Sequence, residues 1–289
     1  MKLSRFYNQV IKFASDRDPR KRPLIKAYPD SEVLYGRADT EVRKILVGID
    51  IEVAELLLAD RIRQKGGLDL VVAHHPEGRA FARLAEVMQV QVDLLTGIGM
   101  DRAMAQELLD ERMRQVERRI LPQNHTRPVD AARLLDLPFI CIHTPADNHA
   151  FCYVRKLINK KKPRLLQDII DLLLEEPEYR KAKSNSCGPR IILGSPKRSI
   201  GKVLIEMTGG TSGPINVFDK LYKAGVRTLV SMHMGEEHFK KVKDANLNVV
   251  IAGHISSDTL GLNLLLDRIE KEETFQTINC SGFSRFKRQ

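Results

Sequence analysis

Two adjacent histidines, His74 and His75, close the apolar run LDLVVAHHP, and two later segments supply the partners they would need to hold metal. HTPAD carries Asp147, and AGHISSD carries His254 and Asp258. Each segment follows a stretch that reads as a buried strand, and the carboxyl ends of strands are where α/β proteins build their sites. Three imidazoles and two carboxylates can therefore converge on one cleft. Mixed nitrogen and oxygen donors suit Zn, Mn, Fe or Co rather than calcium, and no thiolate accompanies them. Two such divalent ions, with Asp147 or Asp258 bridging them, would polarise a phosphoryl or carbonyl oxygen and activate water, which is hydrolase chemistry.

The local spacing is compatible with this convergence. Successive side chains of a regular strand point to opposite faces, so His74 and His75 can share a site only at a strand's end. Pro76 supplies that end, because it lacks an N–H and fixes its own φ. His254 and Asp258 are four apart, which on a helix puts them on one face, one turn from each other.

Other residues near these segments could take part. His149, Glu236 and His238 are the candidate acids or bases beside the ions, although a structural or surface role comes first for His238, as it does for His233. MTGGTSGP places Gly209, Gly210 and Gly213 between a strand and a helix starting near Pro214. Such a turn leaves backbone N–H groups free to hold an anion such as phosphate, although tight turning alone explains glycines too. It is not a P-loop, since the Lys-Ser/Thr that would follow is absent.

Strands and helices alternate around these motifs. Strands are expected at 45–50, 68–75, 138–143, 190–194, 202–207, 228–232, 248–253 and 275–280. Helical periodicity fits 51–65, 80–95, 101–119, 163–176, 214–224, 235–245 and 257–270. The pattern predicts an α/β protein with mixed or largely parallel sheets covered on their faces. Residues 1–155 read as an N-terminal α/β lobe with a helical insertion at about 80–120, 156–188 as a connecting segment, and 189–289 as a C-terminal lobe that completes the metal site. The charged helix 101–119 is a surface element: a lid, an assembly contact, or a hairpin packed on one lobe.

Composition narrows the class. At 289 residues, 43% hydrophobic and 29% charged, the chain is an ordinary globular protein. No apolar run approaches the ~18 residues of a membrane span, and the start lacks the apolar core of a signal peptide, so a cytoplasmic location is expected. The four cysteines are scattered without a CxxC pair, which points to neither a disulfide scaffold nor a thiolate site. The net charge of +10 gathers in Arg17, Arg20, Lys21 and Arg22, in Lys160 to Lys162, and in Arg285, Lys287 and Arg288. Such a surface can steer anionic substrates or bind nucleic acid. Solvated loops and a frayed tail are the favoured reading of the last cluster, since no aromatic interleaving accompanies these charges.

In YGRADTEVRKILVGID, LDLVVAHHP, HTPAD, VLIEMTGGTSG and VVIAGHISSD the sequence resembles the Nif-three-like family, whose bacterial members are often labelled GTP cyclohydrolase type 2 homologues. The resemblance implies two intertwined α/β lobes with a dinuclear metal site between them, and assembly into a ring-like homo-oligomer, a hexamer. It also implies His74, His75, Asp147, His254 and Asp258 as ligands, with His143 nearby but not ligating. This chain departs from the family in four respects. Asp258 stands where Glu is usual, Pro145 and Asn148 replace the usual Asn and Ala, His149 is an extra imidazole, and the His75-to-Asp147 gap is longer by residues of helical character.

The expected function is a metal-dependent hydrolase acting on a small phosphorylated or nucleotide-like molecule. The alternative is a non-catalytic metal-binding regulatory or scaffold protein that assembles into oligomers. Nucleic acid is a less favoured partner, and no membrane partner is expected.

Overall fold

The β-branched runs form two sheets rather than one. In the computed structural model, which describes residues 1–20 and 25–288, the strands are β1 (Ser31–Tyr35), β2 (Lys44–Gly48), β3 (Leu70–Ala73), β4 (Phe139–Ile142), β5 (Arg190–Leu193), β6 (Lys202–Glu206), β7 (Val226–Ser231), β8 (Asn248–Ile251) and β9 (Gln276–Asn279). The first sheet has the order β1-β4-β3-β2-β9 and the second β5-β8-β7-β6. Each is parallel except for one antiparallel edge strand, β1 on β4 and β5 on β8. The mixed α/β architecture expected from the sequence is therefore present. Lys21 and Arg22 of the first basic cluster lie outside the described residues.

The helices are α1 (Leu3–Ser15), α2 (Val53–Gly66), α3 (Gly78–Ala82), α4 (Leu84–Val87), α5 (Val90–Gly97), α6 (Arg102–Ile120), α7 (Arg127–Leu134), α8 (His143–Lys161), α9 (Leu166–Leu173), α10 (Pro177–Ser184), α11 (Phe218–Lys223), α12 (Glu236–Asp244) and α13 (His254–Glu270). Several were not legible in the sequence. HTPAD was expected to follow the strand 138–143 with no helix predicted there, but it opens α8; Pro145 falls in the first turn, where a missing N–H costs no intrahelical bond. The periodicity at 80–95 breaks into three short helices, and α1, α7, α10 and β1 had no predicted counterpart.

Packing explains how the halves interlock. The first sheet is covered on one face by α1 and α13 through Phe6, Val10, Leu262 and Leu266, and on the other by α2 and α7 through Leu56, Ala59 and Ala132. The second sheet packs one face on α8 and α9 and the other on the insertion, where Val87, Met88, Leu109 and Val116 meet Leu204, Leu229 and Val249. Burying each such side chain contributes about 1.5–3 kcal/mol. Two exchanges thus cross the expected division at 156–188. The insertion from the first half packs on the second sheet, and β9 from the end of the chain pairs with β2 in the first.

The tail differs from the frayed end expected. Arg285 pairs with Asp267 at 2.5 Å and with Glu270 at 3.0 Å, and Arg288 with Glu178 at 2.7 Å, while Lys287 reaches Glu270 at 2.9 Å. Much of that positive charge is neutralised internally. No helix among the described residues is long and apolar enough to cross a membrane.

Candidate metal centre

The carboxyl ends of β3, β4 and β8 deliver the polar cluster. His74 N–H donates to the Gly48 carbonyl at 2.9 Å and His75 N–H to Ile49 at 3.0 Å. In a regular strand consecutive N–H groups point to opposite neighbours, so two successive bonds toward the same neighbouring segment show that the backbone rotates here. That rotation lets both rings face one side, with centroids 5.1 Å apart.

Asp147 and Asp258 arrive on helices. Each lies four residues after the histidine that opens its helix, His143 on α8 and His254 on α13. The two helices cross closely at small residues: a Cβ on Gly261 would collide with the Ala146 backbone and meet the Ala150 Cβ at 3.4 Å. Just before α13, Gly253 takes φ 109°, in the left-handed region that glycine tolerates best. The crossing brings the two carboxylates onto His74, whose Nε2 lies 3.4 Å from Asp147 Oδ1 and 3.4 Å from Asp258 Oδ1. On its other side, Asp258 Oδ2 lies 3.5 Å from His75 Nε2 and 3.6 Å from His254 Nε2.

These atoms are buried and unsatisfied. Both ring nitrogens of His74, Asp147 Oδ1 and both oxygens of Asp258 make no hydrogen bond. Buried polar atoms without partners are costly and uncommon in native proteins. His74, Asp147 and Asp258 each offer a donor atom within 4.8 Å of the others; so do His75, His254 and Asp258, and likewise His74, His75 and His143. Burial opposes charge on the His74 imidazole, yet the Asp258 and Asp147 carboxylates raise it to about 10. Burial likewise opposes ionisation of Asp258, but His74, His75 and His254 hold it well below the usual carboxylate range. The cluster demands positive charge between its carboxylates, and its N/O donor set fits a divalent transition metal.

Two carboxylates missing from the sequence reading orient the rings. Asp50, just beyond β2, accepts from His75 Nδ1 at 2.6 Å, which leaves Nε2 facing Asp258. Asp30 is fully buried; it bonds His143 Nδ1 at 2.8 Å and the Thr144 hydroxyl at 2.6 Å. Carboxylate-supported imidazoles of this kind are a recurrent feature of metal sites. Asp50 could have been found as the residue that ends ILVGID, as the histidines end their own strands; Asp30 carried no such signal. His143, with Nε2 3.6 Å from Asp147, completes the fourth imidazole of the cluster.

The structure does not bring all the candidate acids and bases here. His149 lies two residues past Asp147, on the far side of α8, where its Nδ1 bonds the Pro145 carbonyl at 2.9 Å and burial pushes it down to about 4. Glu236 is exposed at the start of α12. His238 bonds the Gly213 carbonyl at 2.9 Å and so serves the glycine loop. That loop's glycines have a packing cause: a Cβ at Gly209 would lie 2.8 Å from the Gln91 side chain and one at Gly210 would lie 2.7 Å from Val87. Gln91 donates to the Gly209 and Thr211 carbonyls at 2.8 and 2.7 Å, so the insertion packs closely on this loop. His233 is nearer the cluster than any of these three, its ring 4.8 Å from that of His254.

Two clefts reach the cluster. One is broad and polar, with Asp50, Glu77, His125 and Arg127 on its walls and His75, His143, His233 and His254 at its inner end. The other is narrow and largely apolar, running between Leu95, Leu204, Phe218 and Met232, with His143, Asp147, His254 and Asp258 also on its wall.

Fold and site together define a two-sheet α/β protein with a buried His/Asp cluster suited to cations. No family model and no curated protein sequence matches the chain. Among solved structures, it is similar to a NIF3 superfamily protein from Sphaerobacter thermophilus, with 27% identity over 95% of this chain and 97% of that one and a TM-score of 0.78. Reduced HcgD from Methanocaldococcus jannaschii shares the fold at 13% identity and TM-score 0.59, over 96% of this chain and 97% of its own. TTHA1606 from Thermus thermophilus does so at 15% identity and TM-score 0.51, over the same shares, 96% and 97%. The chain thus has the fold of the NIF3 superfamily proteins and resembles them as a divergent relative.

Proposed function

We propose that this protein holds two divalent transition-metal ions and hydrolyses a small phosphorylated or nucleotide-like molecule. The observation that carries the reading is Asp258: one oxygen faces His74 and the other faces His75 and His254, so a single carboxylate belongs to two donor sets. His74, Asp147 and Asp258 would hold one ion, and His75, His254 and Asp258 the other. When bound, such ions act as Lewis acids and lower the pKa of water.

The chain's own residues supply the rest. Asp50 and Asp30 fix ring orientations, and the second also keeps His143 against Asp147. His233, exposed where both clefts meet the cluster, is the imidazole placed to accept or donate a proton; this role passes to it from His149, Glu236 and His238. Arg127 in the wall of the polar cleft pairs with Glu52 at 4.0 Å beside Asp50 and Glu77, so the ions themselves would draw an anionic substrate.

Elemental analysis of purified protein tests the first half, with two ions per chain expected and metal-free protein contradicting it. A panel of phosphomonoesters, phosphodiesters and nucleotides tests the second. Metal-dependent turnover of at least one member is expected, and its loss in His233→Ala with metal content unchanged would assign the proton role.

A further inference from the structure

Glu206 ends β6, opposite Ser231 of β7, and its side chain enters the narrow cleft. Among the described residues its half-buried carboxylate has no hydrogen bond and no ion pair. The cleft that it lines is largely apolar, with Leu95, Leu204 and Phe218 in its wall, and Ser231 is the residue opposite it in the sheet. Burial alone pushes it up to about 7, with no neighbouring charge contributing. Glu206 and the His/Asp cluster thus lie in the wall of one cleft. A lone carboxylate in an apolar slot gains more from a cation than from any neutral partner.

We propose that the narrow cleft binds a zwitterionic small molecule, with a nitrogen cation on the Glu206 carboxylate, an apolar stem between the cleft walls, and a phosphate-type anion at the His/Asp cluster. The anionic end rests on the metal-site reading given above; the cation site does not, and the two are tested separately.

The cation site is read on chelator-treated protein carrying 13Cδ-labelled glutamate, at a pH about one unit above the Glu206 midpoint. Short straight-chain alkylamines and the alcohols of equal length are titrated in turn. The amines should shift the Glu206 resonance and bind about tenfold tighter than the alcohols, and Glu206→Gln should erase that difference. Zinc-loaded protein is then titrated with aminoalkylphosphonates against alkylphosphonates of the same length. At one chain length the amine should tighten binding by about the same factor, and Glu206→Gln should remove that gain while leaving the alkylphosphonate unchanged. Equal affinity of amine and alcohol at every length, or an amine preference that survives Glu206→Gln, overturns the proposal. A protein that takes up no zinc yet shows the Glu206-dependent preference would uphold the cation site and retract only the metal reading.

Discussion

The starts of α8 and α13 are built from the same local device and put it to different use. Each helix follows a buried strand, opens on histidine and carries aspartate one turn later, His143 with Asp147 and His254 with Asp258. In the first, Asp30 occupies the ring's Nδ1 and the imidazole is shut in, its side chain 8% exposed. In the second, no carboxylate among the described residues supports His254 from behind, and its side chain stays 39% exposed in the wall of both clefts. The aspartates differ correspondingly: Asp147 turns toward His74 and His143, whereas Asp258 stands between His74 on one side and His75 and His254 on the other. Spacing of four places a ligand pair on one helix face, but the residues arriving from elsewhere decide whether it anchors the site or opens it.

Removing each aspartate breaks this comparison most directly. Asp258→Ala should lose both metal ions, while Asp147→Ala should lose one, as measured by elemental analysis after dialysis. Equal losses would show that the two helices are interchangeable and that no carboxylate is shared.

The next effect concerns the crossing that joins the two units. Gly261→Ala inserts a methyl group against the Ala146 backbone, and such overpacking costs about 1–3 kcal/mol. Thermal unfolding should show that loss together with weaker metal retention, because the helices that carry Asp147 and Asp258 are pushed apart. A variant as stable as the parent would mean that the helices yield without disturbing the site.

A smaller and pH-dependent effect belongs to Asp30. Burial opposes its ionisation, but bonds from His143 and Thr144 hold its carboxyl below the usual range. A depressed carboxylate contributes stability that is present above its unfolded value, about 3.9, and is lost as pH falls through the lower folded value. Asp30→Asn should therefore flatten the acid limb of the stability profile below about pH 4 and weaken metal binding by about 10–100-fold. Among the described residues no carboxylate gives His254 the corresponding support, so no substitution there should reproduce the acid effect.

Much of the candidate site was legible because its histidines end apolar runs. LDLVVAHH and VVIAGH announce a strand followed by imidazole, and the strand ends bring His74, His75 and His254 together with Asp258 as their positions suggest. What the sequence withheld comes from contacts distant in the chain. Asp30 meets His143 across 113 positions, and the insertion crosses to the second sheet, where Gln91 meets Gly209 across 118. The glycines of MTGGTSGP read as an anion loop when considered alone, and only the fold shows that Gln91 and Val87 also lie against them. Glu206 was hidden for another reason: at the end of KVLIE it looks like an ordinary solvent-facing strand residue, and only the cleft shows it to be without a partner.

The shared role of Asp258 is tested most directly by anomalous scattering from crystals of the purified protein soaked in manganese or zinc. Two anomalous peaks are predicted, one beside His74 and Asp147 and one beside His75 and His254, with a different oxygen of Asp258 facing each. A single peak, or two peaks of which one lies away from Asp258, would contradict the account.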